Sequence, residues 1–275
     1  MKVSDIRVPD EVRKCVAFIG LPTQSLEGAR VQFIGTVFFV LLPSRKEGTS
    51  YVYIVTARHV ADKIGNRQFR IRINSKDGLS KLVEGKLEKW FTHPTDASVD
   101  VAVYPYAPPL ETYDYKAVHV NTFLTGEIIQ QKEIGVGDEV FVTGLFAHAA
   151  GSQRNLPIVR TGNIAMMPDE VIPTDSGNIE AYLIEARSIG GLSGSPVFVR
   201  QTVALGIGGF YLLGLMHGHW EIPTDRKNDS LMGNDLHGKV NMGIAIVIPA
   251  KKILEVLNHP ELVEMRRMQD ETLLK

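Results

Sequence analysis

The sequence predicts an all-β fold of the sandwich or barrel type. Short apolar runs rich in β-branched residues recur along the 275 residues, and glycine, proline, aspartate or serine clusters separate most of them. Helices and strands do not alternate, which disfavours a doubly wound α/β fold. We expect strands at 31–42, 51–56, 69–73, 82–90, 101–104, 139–143, 158–166, 181–185, 211–216 and 240–248.

Two segments have helical patterns. Residues 57–64, ARHVADKI, are long enough for about two turns. The tail from Pro249 begins PAKKILEVL and resumes at Pro260, and its apolar residues fall on one face by the i, i+3, i+4 rule. We expect the tail to pack on the last strand, and the alternative is a helix that binds a partner. The polar segment 221–238, EIPTDRKNDSLMGNDLHG, is predicted to be a long surface loop.

The composition excludes some classes of function. The formal net charge is -1, which gives no overall basic excess for nucleic acid or an anionic membrane. Cys15 is the only cysteine, so no intrachain disulfide can form, and we interpret it as a small buried hydrophobic residue rather than a catalytic thiol. The N-terminal segment lacks the apolar core of a signal peptide. We therefore expect a cytoplasmic protein from a bacterium or a bacterial virus, with no membrane or nucleic-acid partner.

Three short motifs carry the candidate chemistry. They are VTARHV at 55–60, where a strand enters a short helix, DVAVY at 100–104, which opens a strand, and GGLSGSPVF at 190–198, a glycine-rich loop before a strand. Their order supplies a histidine, an aspartate and a serine, which is one of the known orders of a catalytic triad.

The three residues are His59, Asp100 and Ser193. A serine hydroxyl is a weak nucleophile at neutral pH and needs an adjacent base, for which His59 is the candidate. Asp100 would hold the imidazole in the correct tautomer. Asp96 competes for the acid role, but it lacks the apolar strand that follows Asp100 and would bury the carboxylate.

These motifs resemble those of the trypsin/chymotrypsin-like serine peptidase family. VTARHV is similar to its TAAHC-like motif, DVAV to its DIAL-like motif, and GLSGSP to GDSGGP or GNSGGP. Three further segments resemble strands of the bacterial HtrA-type branch: VGDEVFVTG at 136–144, VRTGNIAM at 159–166 and MGIAIVIPAKKILEVL at 242–257. The resemblance covers roughly residues 30 to 257, without a PDZ-like segment after the peptidase portion.

The resemblance implies two antiparallel six-stranded β-barrels of the chymotrypsin-like type, followed by a C-terminal helix. Residues 1–125 would form the N-terminal barrel with the histidine and the aspartate, residues 126–248 the C-terminal barrel with the serine and the specificity pocket, and residues 249–275 the helical tail. It also implies an oxyanion hole formed by the backbone N–H groups of Gly191 and Ser193. The reaction would be hydrolysis of a peptide or protein substrate through an acyl-enzyme, with no cofactor.

Two positions depart from the family pattern. Leu192 stands where secreted trypsins have an aspartate that captures the new N-terminus after zymogen cleavage, so we expect no such activation. Ser195 replaces the second glycine of GDSGGP, and it should fit if its φ is negative.

The resemblance implies that the substrate-binding residues are Arg187, Ser188, Met216, His217 and Gly218. One reading places Arg187 and His217 at the pocket and favours an acidic or polar P1 residue. The other turns Arg187 to solvent, paired with Glu185, and leaves a shallow apolar pocket at Met216 for small aliphatic residues. His217 and His219 could share a strand face as metal ligands, but no third ligand is visible, so no metal site is expected.

Two rival functions remain open at the sequence level. The first is a catalytically silent homologue that binds peptides or a partner protein. The second is an esterase or acyl transferase that uses the same nucleophile and base. The sequence does not fix the natural substrate or the oligomeric state.

Overall fold

The computed structural model describes residues 8–25, 28–85, 89–174, 177–186, 191–203, 206–223 and 239–273. Strands dominate these ranges, and helices are few and short apart from the C-terminal tail. The predicted all-β fold with a helical C-terminus is therefore confirmed. A loop was predicted at 221–238, but residues 221–223 belong to a strand that ends at Pro223. Residues 224–238 lie outside the described residues.

The N-terminal half of the chain builds one sheet of eight strands. Its order is β5-β4-β1-β2-β3-β7-β6, and β8 pairs in parallel with β2. In the described ranges, this half does not form the closed six-stranded barrel that was expected. It forms an eight-stranded sheet with β5 at one end and the two-residue strand β6 at the other. The strands are β1 (Val16–Ser25), β2 (Gly28–Pro43), β3 (Ser50–Thr56), β4 (Arg70–Asn74), β5 (Ser80–Glu84), β6 (Phe91–Thr92), β7 (Ala102–Pro105) and β8 (Val118–His119).

The C-terminal half contains the closed barrel that was expected. Six antiparallel strands follow one another around it in the order β10-β13-β16-β15-β14-β9. A separate hairpin, β11 (Ile172–Thr174) with β12 (Gly177–Ile179), lies outside the barrel. The barrel strands are β9 (Glu139–Gly144), β10 (Ile158–Met166), β13 (Tyr182–Glu185), β14 (Pro196–Val203), β15 (Gly206–Pro223) and β16 (Lys239–Pro249).

Five α-helices connect or flank the strands in the described ranges. They are α1 (Asp10–Lys14), α2 (Arg58–Ile64), α3 (Gly126–Lys132), α4 (Ala250–Leu257) and α5 (Pro260–Leu273). Helix α2 follows β3 directly and carries one of the candidate catalytic residues. None of these helices is both long and apolar enough to cross a lipid bilayer.

The C-terminal tail links the two halves of the molecule. As expected, α4 packs on β16, and it also contacts β15 and β7. Helix α5 then returns to the N-terminal sheet, where the buried Arg266 donates to the Tyr53 hydroxyl at 3.0 Å. Asp270 accepts hydrogen bonds from Ser44, which follows β2, and from Tyr51 on β3, each at 2.5 Å. The tail therefore holds the barrel and the sheet together.

Candidate active site

His59 lies in the first turn of α2, immediately after β3. Ala57 precedes this helix and offers no side chain to cap its free backbone N–H groups. Asp100 takes that role, since its Oδ1 accepts from the His59 backbone N–H at 2.8 Å. The same carboxylate contacts the His59 ring, with Nδ1 2.8 Å from Oδ2. One aspartate therefore fixes both the backbone and the side chain of the histidine.

Asp100 is buried just before β7, with 10% of its side chain exposed. Its Oδ2 accepts a second imidazole contact, from His217 Nδ1 at 2.5 Å. Burial alone would raise the pKa of this carboxyl, but the hydrogen bonds from His217 and His59 outweigh it and lower the pKa to about 2. Asp100 is thus a carboxylate at neutral pH.

Asp96, the competing acid, has a local structural role. Its Oδ1 accepts from the Ser98 backbone N–H at 2.9 Å and from the Ser98 hydroxyl at 2.6 Å. This pattern is a turn stabilised by an aspartate side chain. The structure places Asp100, rather than Asp96, against His59.

His217 reaches Asp100 because β15 bulges at this position. Met216 pairs with Val247 and Gly218 pairs with Ile246, so His217 is an extra residue without a partner on β16. Bulges of this kind redirect a side chain and are frequent beside active sites. The His59 and His217 rings are nearly perpendicular, at 88°, with centroids 5.7 Å apart. The sequence analysis placed His217 and His219 on one face because side chains alternate along a regular strand. The bulge interrupts that alternation at His217.

The loop that carries Ser193 is tied to both halves of the molecule. The Thr36 backbone N–H on β2 donates to the Ser193 carbonyl at 3.1 Å. On the barrel side, the Gly194 N–H donates to the Met216 carbonyl at 2.9 Å, and the Met216 N–H donates to the Ser195 carbonyl at 2.8 Å. The loop that carries Ser193 therefore contacts both halves.

Gly194 brings this loop against the chain that leads to His59. Its φ is +80°, and a Cβ atom here would lie 2.3 Å from the Thr56 Oγ1 and 3.0 Å from the Ala57 nitrogen. Only a glycine fits so close an approach with this backbone angle. The neighbouring Ser193 is partly exposed. Within the described part of the chain, no hydrogen bond joins its hydroxyl to the His59 ring.

Thr36 is a site residue that the sequence analysis missed. Its buried hydroxyl donates to the Gly191 carbonyl at 3.0 Å and accepts from the Leu145 N–H at 2.9 Å. Gly191 itself has a φ of +100°, in the region that favours glycine. The sequence signal for this role is the threonine inside the apolar run VQFIGTVFFV. A hydroxyl buried in such a run needs a hydrogen-bond partner, which indicates a specific contact.

The predicted substrate-binding residues have different outcomes. Arg187 and Ser188 lie outside the described residues. Met216 is 1% exposed and packs in the core of the barrel. At Gly218, no atom of the described residues, apart from Gly218 and its two chain neighbours, lies within 4 Å of the position that a Cβ would occupy, so the space at this position is open. His217 contacts Asp100, as described above.

The two departures from the family pattern are accommodated inside the barrel. Leu192 is fully buried among apolar side chains such as Leu213 and Val197. Ser195 is also fully buried, and Glu133 is the only non-glycine residue with a positive φ in the described ranges. The expectation of a negative φ at Ser195 is therefore met.

Comparison with known proteins supports the fold. No protein-family profile and no curated protein sequence match the chain. Among solved structures, the protease domain of MamO from Magnetospirillum magneticum, in its apo form, is similar with a TM-score of 0.51 and 14% identity. The match covers 89% of this chain and 96% of that domain. This likeness supports a chymotrypsin-like fold.

Proposed function

We propose that this protein is a serine endopeptidase in which Ser193 is the nucleophile, His59 the general base and Asp100 the orienting carboxylate. The observation that supports this most is the double contact between Asp100 and His59, at the backbone N–H and at Nδ1. A carboxylate on Nδ1 leaves Nε2 as the proton acceptor, which is the tautomer that general-base catalysis requires.

The proposed reaction proceeds through an acyl-enzyme. His59 Nε2 takes the proton of the Ser193 hydroxyl as Oγ attacks the peptide carbonyl carbon, and it then gives that proton to the leaving amine. Water attacks the acyl-enzyme by the same route in reverse. The backbone N–H groups of Gly191 and Ser193 would stabilise the oxyanion, and one such donor is worth about 3–4 kcal/mol in the rate.

His217 supports Asp100 in this scheme as a positioning residue. It donates from Nδ1 to the carboxylate oxygen that also faces the His59 ring. This second donor favours the ionised form of Asp100 and fixes the direction of its oxygens. The carboxylate is then oriented before the substrate arrives.

The substrate is proposed to be a peptide or protein that binds beside β15, where the space at Gly218 is open. The sequence motifs favour the HtrA-type branch of the family, and no cofactor is needed. The sequence has a single cysteine, Cys15, and therefore no intrachain disulfide, which agrees with a reducing compartment such as the bacterial cytoplasm. An acidic or polar P1 residue and a small aliphatic P1 residue both remain candidates.

One observation favours the alternative of a catalytically silent peptide-binding homologue. The Ser193 hydroxyl and the His59 ring make no hydrogen bond with each other within the described residues. In peptidases without substrate this contact is often long and tightens only in the complex. We therefore keep the peptidase as the first proposal.

The experiment is cleavage of a peptide library by the purified protein, with the Ser193→Ala variant as the matched control. The proposal expects cleavage by the wild type alone, and the cleaved positions give the P1 preference. Parallel assays on esters separate an esterase or acyl transferase. No cleavage by either protein, or equal cleavage by both, would contradict the proposal, and a clear preference for Lys or Arg would refute both P1 readings.

A further inference from the structure

The two histidines and the aspartate of the site form a group with the geometry of metal ligands. One ring nitrogen from each of His59 and His217 and one carboxylate oxygen of Asp100 lie within 4.8 Å of one another. Both histidines face the carboxylate through Nδ1, at 2.8 Å and 2.5 Å. The two Nδ1 atoms therefore converge on one carboxylate oxygen. The rings are nearly perpendicular and do not stack.

This set of donors suits a divalent transition metal ion. Two imidazoles and one carboxylate leave a fourth position open, as in catalytic zinc sites. Tetrahedral zinc with bonds of about 2.0–2.2 Å places its ligands about 3.3 Å apart. The nitrogen-to-oxygen distances would need to widen by roughly 0.5–0.8 Å, which small ring rotations can supply.

Access to the group is also available. The side chains of His59 and His217 are 33% and 17% exposed, so both rings are partly accessible to solvent. Gly218, the next residue along the chain, has open space at the position that a Cβ would occupy. An entry path is one of the requirements of a binding site for metal.

We propose that a divalent transition metal ion, with Zn²⁺ as the probe, binds between His59 Nδ1, His217 Nδ1 and Asp100 and reversibly inhibits the protein. The inhibitory part rests on the proposed peptidase function, whereas the binding part does not. The sequence analysis considered His217 with His219 and predicted no metal site; His219 is not in the group found here.

Inhibition follows from the tautomer of His59. A neutral imidazole carries one N–H proton, and a metal ion on Nδ1 leaves that proton on Nε2. Nε2 can then no longer accept the proton of Ser193. On binding, each ring loses its proton from Nδ1 and gains one on Nε2 through solvent, so both imidazoles stay neutral and no other covalent bond breaks. Metal binding and general-base catalysis are therefore mutually exclusive at His59.

The binding test uses metal-free protein with the Ser193→Ala substitution and titrates it with Zn²⁺ by isothermal calorimetry. One zinc ion per chain is expected. Adding His217→Gln should weaken zinc binding by more than about tenfold. Even the loss of a residue that only hydrogen-bonds to a metal ligand lowers metal affinity by about 10–100-fold. His219→Gln is the matched control two residues away and should retain the affinity. Circular dichroism checks that each variant is folded, and His59→Gln provides a second ligand variant.

The outcomes separate the two proposals. Absence of saturable binding, or equal binding with and without His217→Gln and His59→Gln, would overturn the metal site whether or not the protein cleaves peptides. If the wild type cleaves peptides and saturating Zn²⁺ leaves the rate unchanged, the inhibitory role is refuted. The inhibitory role is supported if Zn²⁺ lowers the rate and a chelator restores it. The fractional loss of rate should also be smaller in His217→Gln, measured against the metal-free rate of that variant. Failure of peptide cleavage with intact zinc binding counts against the peptidase alone.

Discussion

Asp100 receives three hydrogen bonds on its two oxygens, and this arrangement decides the chemistry at the scale of single residues. One comes from the His59 backbone, one from the His59 ring and one from His217. A buried carboxylate is stable only with such partners, because its desolvation is costly. The partners make Asp100 a fixed anion that orients the His59 ring.

The proposed nucleophile, Ser193, and the proposed base, His59, can each be removed by substitution. We predict that Ser193→Ala and His59→Ala lower kcat for peptide hydrolysis by about 10⁶-fold each. Both residues are partly exposed, so the thermal midpoint should change little. Steady-state kinetics and circular dichroism measure the two effects. Retention of more than a small percentage of activity by either variant would refute its role.

The two aspartates provide a matched pair. Asp100→Asn should lower kcat by about 10⁴-fold, since the amide favours the wrong tautomer of His59. Asp96→Asn affects a turn at Ser98 and should leave kcat close to that of the wild type. The comparison is made by steady-state kinetics on one peptide. Greater damage from Asp96→Asn would show that the acid is misassigned.

The candidate residues could be predicted from local motifs, but their contacts could not. The apolar strand after Asp100 indicated a buried carboxylate, and the structure places it against His59. The contact from His217 depends on a bulge in β15, which the sequence pattern does not indicate. The role of Thr36 depends on a contact with Gly191, 155 residues away along the chain.

At the scale of elements, the C-terminal tail fastens the barrel to the sheet. The guanidinium of Arg266 is buried and donates to the Tyr53 hydroxyl and to the Leu257 carbonyl, at 3.0 Å and 2.9 Å. The next residue, Arg267, lies on the exposed side of α5 and pairs with Glu264 and Glu271. The two neighbours therefore differ in burial and share the same helix.

We predict that Arg266→Ala lowers the free energy of unfolding by about 2–3 kcal/mol, because two partners of a buried charged group are lost. Arg267→Ala should have little effect, since exposed ion pairs contribute little. Urea unfolding at neutral pH compares the two variants. Equal losses would show that α5 is not held through Arg266.

Asp270 predicts a dependence on pH. The hydrogen bonds from Ser44 and Tyr51 lower its pKa below the usual value of 3.8. A carboxyl with a lowered pKa stabilises the fold above its usual pKa, and this contribution is lost as the pH falls through the lowered value. The difference in thermal midpoint between wild type and Asp270→Asn should be constant above about pH 5 and shrink below about pH 4. A difference that grows in acid would contradict the assignment.

Element types were more predictable than element bounds. Strand β10 lies at Ile158–Met166, as expected, whereas β15 runs over Gly206–Pro223 and is much longer than its apolar centre. Strand β1, Val16–Ser25, was not predicted, because the glycine and proline in VAFIGLPTQS interrupt the strand pattern. Pairing with β2 along its length decides its conformation.

At the scale of the whole molecule, contacts between the sheet and the barrel assemble the site. His59 in α2 and Asp100 just before β7 come from the half of the chain that forms the sheet. Ser193 just before β14 and His217 on β15 come from the half that forms the barrel. Thr36 joins the two through its hydroxyl and its backbone N–H. Local motifs predict each half, but only the folded chain brings the halves together.

The molecule is predicted to be active without proteolytic maturation. Leu192 is buried in the barrel and cannot anchor a new N-terminus, and Val16 already begins a paired strand in the sheet. The 275-residue chain should cleave peptides as synthesised, and dithiothreitol should not reduce the rate, since Cys15 is the only cysteine. Mass spectrometry of the active protein checks that it is uncut. Activity only after a cut near Val16, or inactivation by dithiothreitol, would refute this prediction.

The measurement that tests the central claim most directly is labelling with a fluorophosphonate, followed by mapping of the modified residue by mass spectrometry. The probe reacts with a serine that an adjacent base activates. We predict one label per chain at Ser193 in the wild type, and none in Ser193→Ala or His59→Ala. A folded wild-type protein that takes no label, or takes it at another residue, would contradict the assignment of Ser193 and His59 as nucleophile and base.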